Sequence, residues 1–210
     1  MSEPRLIDIS RVISETTAVW PGDTTFSRRA VMAMKAGCSC DVNTFTLSAH
    51  TGTHADAPRH FLEGGLDSAA TSLAPYIGRC LVVQTHDPRM VRAEDLAGID
   101  ISAEERILFR TPRPLRDDEW RDDFAFLSVE AARRLAEGGA RLVGLDTPSV
   151  DPMTSKTLDA HKLLAASGVA ILESLNLEPV APGRYELIAL PLRIAGADAS
   201  PVRAILRTLP

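Results

Sequence analysis

Four of the five histidines in this chain gather into one chemical constellation. Three fall in the run His50-Thr-Gly-Thr-His54-Ala-Asp56-Ala-Pro-Arg-His60, and the fourth is His161, in Ser155-Lys-Thr-Leu-Asp-Ala-His161. Imidazole nitrogen and carboxylate oxygen suit zinc and its first-row neighbours as ligands. One such histidine alone reads as a surface or hydrogen-bonded side chain. Several metal-competent groups on one glycine-containing turn read as a metal site. Glu173 adds a further carboxylate, at the end of the apolar run Val169-Ala-Ile-Leu172. A carboxylate there costs free energy unless it is paired or coordinated, and strand ends in α/β sheets are where sites are built. Judged from its neighbours alone, His161 is a helix-surface residue.

The elements that must position these groups follow from the local pattern. His50 and His54 are spaced for one helix face, but Gly52 between two threonines and the nearby Pro58 argue against a helix. The spacing instead predicts a strand ending near His50, a turn at Gly52, and a second extended piece carrying His54 and Asp56. Residues two apart in an extended chain point the same way, and the turn folds His50 back towards them. Before this run, Phe45, Leu47 and Ala49 alternate with Thr44, Thr46 and Ser48, the pattern of a half-buried strand over Val42 to His50.

Further strands are predicted at Leu6–Ser10, Phe26–Met34, Cys80–Gln84, Arg106–Arg110, Arg141–Leu145, Val169–Leu172, Glu186–Leu190 and Val202–Leu206. Two helices are predicted. Ser128 caps Val129–Glu137, which Gly138-Gly139 ends, and Leu158–Ala166 stops before Gly168. Each feeds a short apolar run that fits a strand covered on both faces. The expected fold class is α/β, with a mixed, strand-rich sheet and helices packed against it. Neither a repeat nor a low-complexity linker divides the chain, so residues 1–210 are expected to form a single domain.

Composition bounds the function. A hydrophobic fraction of 45% supports a real core. The net charge is -5 and no Lys/Arg stripe is present, which gives no basis for nucleic-acid binding. The charged stretch 116–123 reads as a solvated loop. The N-terminal residues lack the pattern of a signal peptide, and no apolar run reaches the ~18 residues of a membrane span. A cytoplasmic protein with a small-molecule substrate is expected. Three cysteines, Cys38, Cys40 and Cys80, make an odd count that argues against a disulfide framework. They read as small, partly buried thiols.

The His50–His60 run resembles the H-x-G-T-H-x-D-x-P-x-H motif of the metal-dependent cyclase family of hydrolases at every fixed position. The resemblance extends over nearly the whole chain. It takes in Val19-Trp20-Pro-Gly-Asp23, Leu145-Asp-Thr-Pro-Ser-Val-Asp-Pro152, Asp159-Ala-His161, Ala170-Ile-Leu-Glu173 and Asp198-Ala-Ser-Pro-Val-Arg203. Within the family, the Trp-Pro-Gly-Asp turn and the C-terminal block favour the branch that hydrolyses N-formyl-L-kynurenine to L-kynurenine and formate.

The resemblance implies two metal ions per subunit, usually Zn2+, with Mn2+ or Co2+ accepted by the same donor types. His50, His54 and Asp56 would bind one ion. Asp56, His161 and Glu173 would complete the second, with Asp56 and Glu173 shared. His60 would stay free of metal as general acid/base, although its position also suits a further nitrogen ligand. Trp20 would meet the aryl ring of the substrate; without the resemblance it reads as a core residue capping the sheet. A barrel-like sheet and a homodimer are also implied. Two alternatives are a cyclase-family hydrolase of another aryl amide or an isatin-type lactam, and a metal-binding protein without catalysis.

Overall fold

Short apolar runs become the strands of a nine-stranded sheet in the structure, a computed structural model that describes residues 4–209. In chain order the strands are β1 (Leu6–Asp8), β2 (Ser27–Met32), β3 (Val42–Thr46), β4 (His54–Asp56), β5 (Ile77–Gln84), β6 (Met90–Val91), β7 (Arg106–Arg110), β8 (Phe126–Leu127), β9 (Leu142–Leu145), β10 (Ala170–Glu173), β11 (Gly183–Ile188), β12 (Ala199–Pro201) and β13 (Ile205–Thr208). The helices are α1 (Ile101–Glu104), α2 (Val129–Glu137) and α3 (Asp159–Ala166).

The main sheet has the order β1-β13-β11-β5-β7-β9-β10-β4-β12. Its middle, β5-β7-β9-β10, is parallel and its two ends are antiparallel, so the mixed sheet expected from the sequence is present. One sheet joins the N-terminal strand to the C-terminal one, and the chain forms a single α/β domain.

Each parallel strand splits its side chains between two cores, because successive residues of a strand face opposite ways. Ile107, Phe109, Val143, Leu145 and Ile171 pack against Ala131, Ala132 and Leu135 of α2 and against Ala160 and Leu164 of α3. Leu108, Leu142 and Leu172 point the other way and meet Cys80, Val82, Leu187 and Leu206. The second core therefore joins the parallel middle to the antiparallel end, and the sheet curls into a half-barrel around it. Ser128 caps α2 by accepting the N–H of Ala131 at 3.0 Å.

Several boundaries differ from the sequence reading. β3 stops at Thr46 and pairs only with β2, in a separate two-stranded ribbon. The alternation at Val42–His50 is real, but no core lies under it, and Phe45 is 57% exposed. The strand expected at Val202–Leu206 begins later, at Ile205, and a short strand, β12, precedes it. The one-turn helix α1 is too short to carry a periodic apolar pattern, and Asp100 caps it through the N–H of Ala103. Cys80 lies in the core, Cys38 is half-buried and Cys40 is exposed, and all three are free thiols. No helix among the described residues is long and apolar enough to cross a membrane.

Candidate metal centre

The antiparallel register between β4 and β10 builds the centre. Glu173 pairs directly with His54, and Asp56 lies two residues further along β4. Directly opposed residues share a sheet face, as do residues two apart, so the three side chains project together. Gly52 makes the turn that returns His50 to them. Its φ of 66° lies in the left-handed region, and a side chain there would also approach Ile13 to 3.0 Å. His161 enters from the first turn of α3.

Three histidines then converge on two shared carboxylates. Asp56 Oδ1 lies 3.3 Å from His50 Nδ1 and 3.4 Å from His54 Nε2, while Asp56 Oδ2 lies 3.3 Å from His161 Nε2. Glu173 Oε2 lies 3.3 Å from His54 Nε2, and its Oε1 lies 3.3 Å from His161 Nε2. His54, Asp56, His161 and Glu173 are buried. His54 Nε2 and both oxygens of Asp56 have no hydrogen-bond partner. Buried polar atoms normally have one. Unpartnered donor atoms of these types, facing a common space, fit a divalent cation. Three donor groups each lie close enough to hold an ion: His50-His54-Asp56 and Asp56-His161-Glu173, which share Asp56, and the more exposed His50-His60-Asp198.

The electrostatics point the same way. Burial works against charge on His54, yet the Asp56 and Glu173 carboxylates override it and push the imidazole up to about 10. His161 is likewise driven well above its ordinary value, by Asp151, Asp56 and Glu173 against its burial. Burial alone would raise Asp56, but His161, His50 and His54 hold it well below the usual carboxylate range. Two buried carboxylates thus demand positive charge at the imidazole nitrogens. Protons or divalent cations can meet that demand.

The far nitrogens are also held. His54 Nδ1 lies 2.9 Å from the carbonyl oxygen of Gly52. A carbonyl only accepts, so Nδ1 carries a proton, and with a cation in place of the second proton Nε2 would offer its lone pair inward. His50 Nε2 lies 3.2 Å from Asp198 Oδ2.

His60 stands apart from the shared carboxylates. It ends a short 3-10 turn, Pro58–His60, with its ring centroid 4.3 Å from that of His50. Its Nδ1 is 3.6 Å from Asp198 Oδ2. Burial lowers its pKa, so the ring is neutral at neutral pH. Asp198 lies between His50 and His60. Its link to the histidines is tertiary and left no mark in the spacing.

A cleft of about 590 Å³ opens above these groups, with His50, His54, His60, His161 and Glu173 in its lining. Trp20 lies in the wall, 37% exposed, on the turn closed by the Asp23 N–H to Trp20 carbonyl bond of 2.9 Å. It is a cleft residue and does not cap the sheet. The stretch 116–123 is a largely exposed loop, as expected, and it also lines the same cleft through Arg116, Asp117, Glu119 and Trp120. Trp120 meets Trp20 edge-on, with ring centroids 5.2 Å apart. Charge density suggested solvent, but Arg11 ties the loop inward through the Leu115 carbonyl at 2.7 Å and Asp117 Oδ1 at 3.0 Å.

The half-barrel and its histidine-carboxylate centre define a class of hydrolase. The sequence matches the Cyclase family ("Putative cyclase") over residues 7–152, and the chain belongs to that family. It is 46% identical over 211 residues to the kynurenine formamidase of Erythrobacter litoralis, covering 100% of this chain and 96% of that protein. A solved "potential metal-dependent hydrolase with cyclase activity" superposes with a TM-score of 0.87 at 30% identity, over 99% of both chains. Isatin hydrolase A of Ralstonia solanacearum has the same fold, with a TM-score of 0.82 at 21% identity over 98% of this chain and 92% of that one.

Proposed function

We propose that this chain is a metal-dependent arylformamidase, which hydrolyses N-formyl-L-kynurenine to L-kynurenine and formate. The observation that carries the reading is the division of oxygen atoms in the centre. Asp56 turns one oxygen to His50 and His54 and the other to His161, and Glu173 divides its oxygens between His54 and His161. Two carboxylates spanning two imidazole sets suit a two-ion site. The kynurenine formamidase relative, alike over its whole length, supports the choice of substrate.

In this reading His50, His54 and Asp56 hold one ion, and Asp56, His161 and Glu173 hold the other, with Asp56 and Glu173 shared. Zn2+ is the proposed metal; nitrogen and oxygen donors also take Mn2+ or Co2+. Bound ions would supply a water acidified towards neutrality and a positive field for the developing oxyanion.

The protein's own groups do the rest. Addition of water to the formyl carbon leaves a C–N bond to be broken, and the departing aniline nitrogen needs a proton. His60 is neutral at neutral pH and can take a proton during attack. Its Nδ1 faces Asp198, which leaves Nε2 to return that proton to the nitrogen. Trp20 would present its ring to the aryl group from the cleft wall. The cleft volume suits one such small substrate.

The same reading takes residues 1–210 as one catalytic domain acting as a homodimer in the cytoplasm. The ribbon of β2 and β3 leaves Val31 and Phe45 more than half exposed, a surface that a second copy would cover. Three free cysteines suit a reducing compartment.

Elemental analysis coupled to an activity assay on N-formylkynurenine tests the proposal. Two equivalents of metal and turnover that chelation abolishes and zinc restores are expected. A strong preference for an isatin-type lactam, or metal without turnover, would overturn it.

A further inference from the structure

Helix α3 carries His161 but does not cap itself. The residue before it, Leu158, has φ 52° and no capping side chain. The cap comes from the loop that leads into it from β9. Asp151 is buried, follows β9 by six residues, and accepts three hydrogen bonds from α3. Its Oδ1 takes the N–H of Ala160 at 3.1 Å. Its Oδ2 takes the N–H of His161 at 3.0 Å and lies 2.6 Å from His161 Nδ1. One carboxylate thus fixes both the helix end and the ring.

We propose that Asp151 is a positioning residue for the metal centre: by accepting the Nδ1 proton of His161 it locks the tautomer whose Nε2 lone pair faces Asp56 Oδ2 and Glu173 Oε1. The inference rests on the reading of His161 as a metal ligand. An imidazole that binds a metal is neutral and carries one proton. An ionised carboxylate offers only acceptors, so Nδ1 keeps the proton and Nε2, 3.3 Å from both other carboxylates, is left free to coordinate. His54 is arranged in the same way by the Gly52 carbonyl. That carbonyl belongs to the backbone and no side-chain replacement removes it, whereas Asp151 can be altered.

Asp151→Asn keeps one bond of the cap and inverts the contact to the ring. The amide oxygen can still accept the Ala160 N–H, while the NH2 group in place of Oδ2 gives up the bond from the His161 N–H. The NH2 group then faces Nδ1 as a donor, which favours the proton on Nε2, where it blocks the metal. Zinc titration of the metal-free protein against a chromogenic chelator reads the outcome. One ion should bind roughly 10- to 100-fold more weakly than in the wild type, the range for loss of a partner behind a metal-bound imidazole, and the other should bind as before. A wild-type competition curve would overturn the inference.

His161→Ala in the same assay keeps the two readings apart. If that variant also retains two tight ions, His161 is not a ligand and the underlying reading fails. If it loses one while Asp151→Asn loses none, only the inference about Asp151 fails. Should Asp151→Asn not fold, imidazole 1H–15N correlation spectra of the zinc-loaded wild type decide. A proton on His161 Nδ1 supports the proposal, and its absence overturns it.

Discussion

Asp56 and Glu173 lie on neighbouring antiparallel strands, two rungs of the ladder apart, and both are buried against the imidazoles of His54 and His161. Each would raise the other's pKa, and burial adds to that. Glu173 nevertheless sits below its ordinary value, because His161 and His54 face it. Like charges in such a place persist only where cationic partners outweigh their repulsion and desolvation. A centre of this kind is built to hold positive charge, and its integrity depends on both carboxylates.

Glu173→Ala should therefore lower the metal content. Its loss removes the oxygen facing His54 and the one facing His161, and also frees the Val150 N–H that Oε1 accepts at 2.8 Å. Elemental analysis after gel filtration should find one ion per chain or fewer. Glu173→Gln keeps an oxygen for Val150 and removes the charge, so it tests the charge alone. Two ions per chain in Glu173→Gln would mean that the charge of Glu173 is not needed to hold them.

His60→Ala should do the opposite. His60 touches neither shared carboxylate, so both ions should remain. Turnover should fall by about 10²- to 10⁴-fold, the ordinary contribution of a positioned acid/base. Comparing metal stoichiometry with kcat checks this. Loss of metal together with activity would make His60 a ligand.

Asp146 sets a pH dependence away from the centre. Its Oδ2 accepts the Thr111 N–H at 2.9 Å, while Oδ1 is buried without a partner. Burial pushes its carboxyl up to about 6. An acid raised in the folded state stabilises fully below its unfolded value near 3.8, and that contribution is lost as pH rises through 6. The loss is on the order of 3 kcal/mol. Asp146→Asn keeps the Thr111 bond without the charge. Relative to the wild type, it should gain about 2 to 3 kcal/mol in urea unfolding between pH 4 and pH 7. An equal difference at both pH values would contradict this account.

What the sequence disclosed about the site depended on how local each relation is. His50, His54 and Asp56 converge through one turn and one strand, so a spacing of four and two residues was enough to read them. Glu173 was legible because a carboxylate closing an apolar run is out of place unless something needs it. Asp151 and Asp198 act across ten and 148 residues, and no short pattern marks them. The fold divides similarly. α2 and the parallel strands follow from their own caps and apolar runs. The ribbon of β2 and β3 has the alternation of a half-buried strand but lacks a core beneath it, and only the tertiary arrangement settles that.

Trp120 was hidden by its charged neighbours, and it supplies the remaining prediction. It lines the cleft beside Trp20 and packs edge-on against Trp20 and Phe124, with centroids 5.2 and 6.1 Å away. Its Nε1 donates to Asp122 Oδ1 at 2.7 Å, which fixes the ring. An aryl substrate in this cleft would meet two indoles held against one another. Each aromatic contact is worth about 0.5–1.5 kcal/mol beyond simple burial. Trp120→Ala should therefore raise KM for N-formylkynurenine roughly 3- to 10-fold. The same variant should leave kcat/KM for a small aliphatic formamide nearly unchanged, because that substrate has no ring to lose. Steady-state kinetics on the two substrates make the comparison. An equal loss on both would show that Trp120 supports the loop without contacting the ring. Arg11, which anchors that loop through Leu115 and Asp117, would then be the residue whose replacement reproduces the defect.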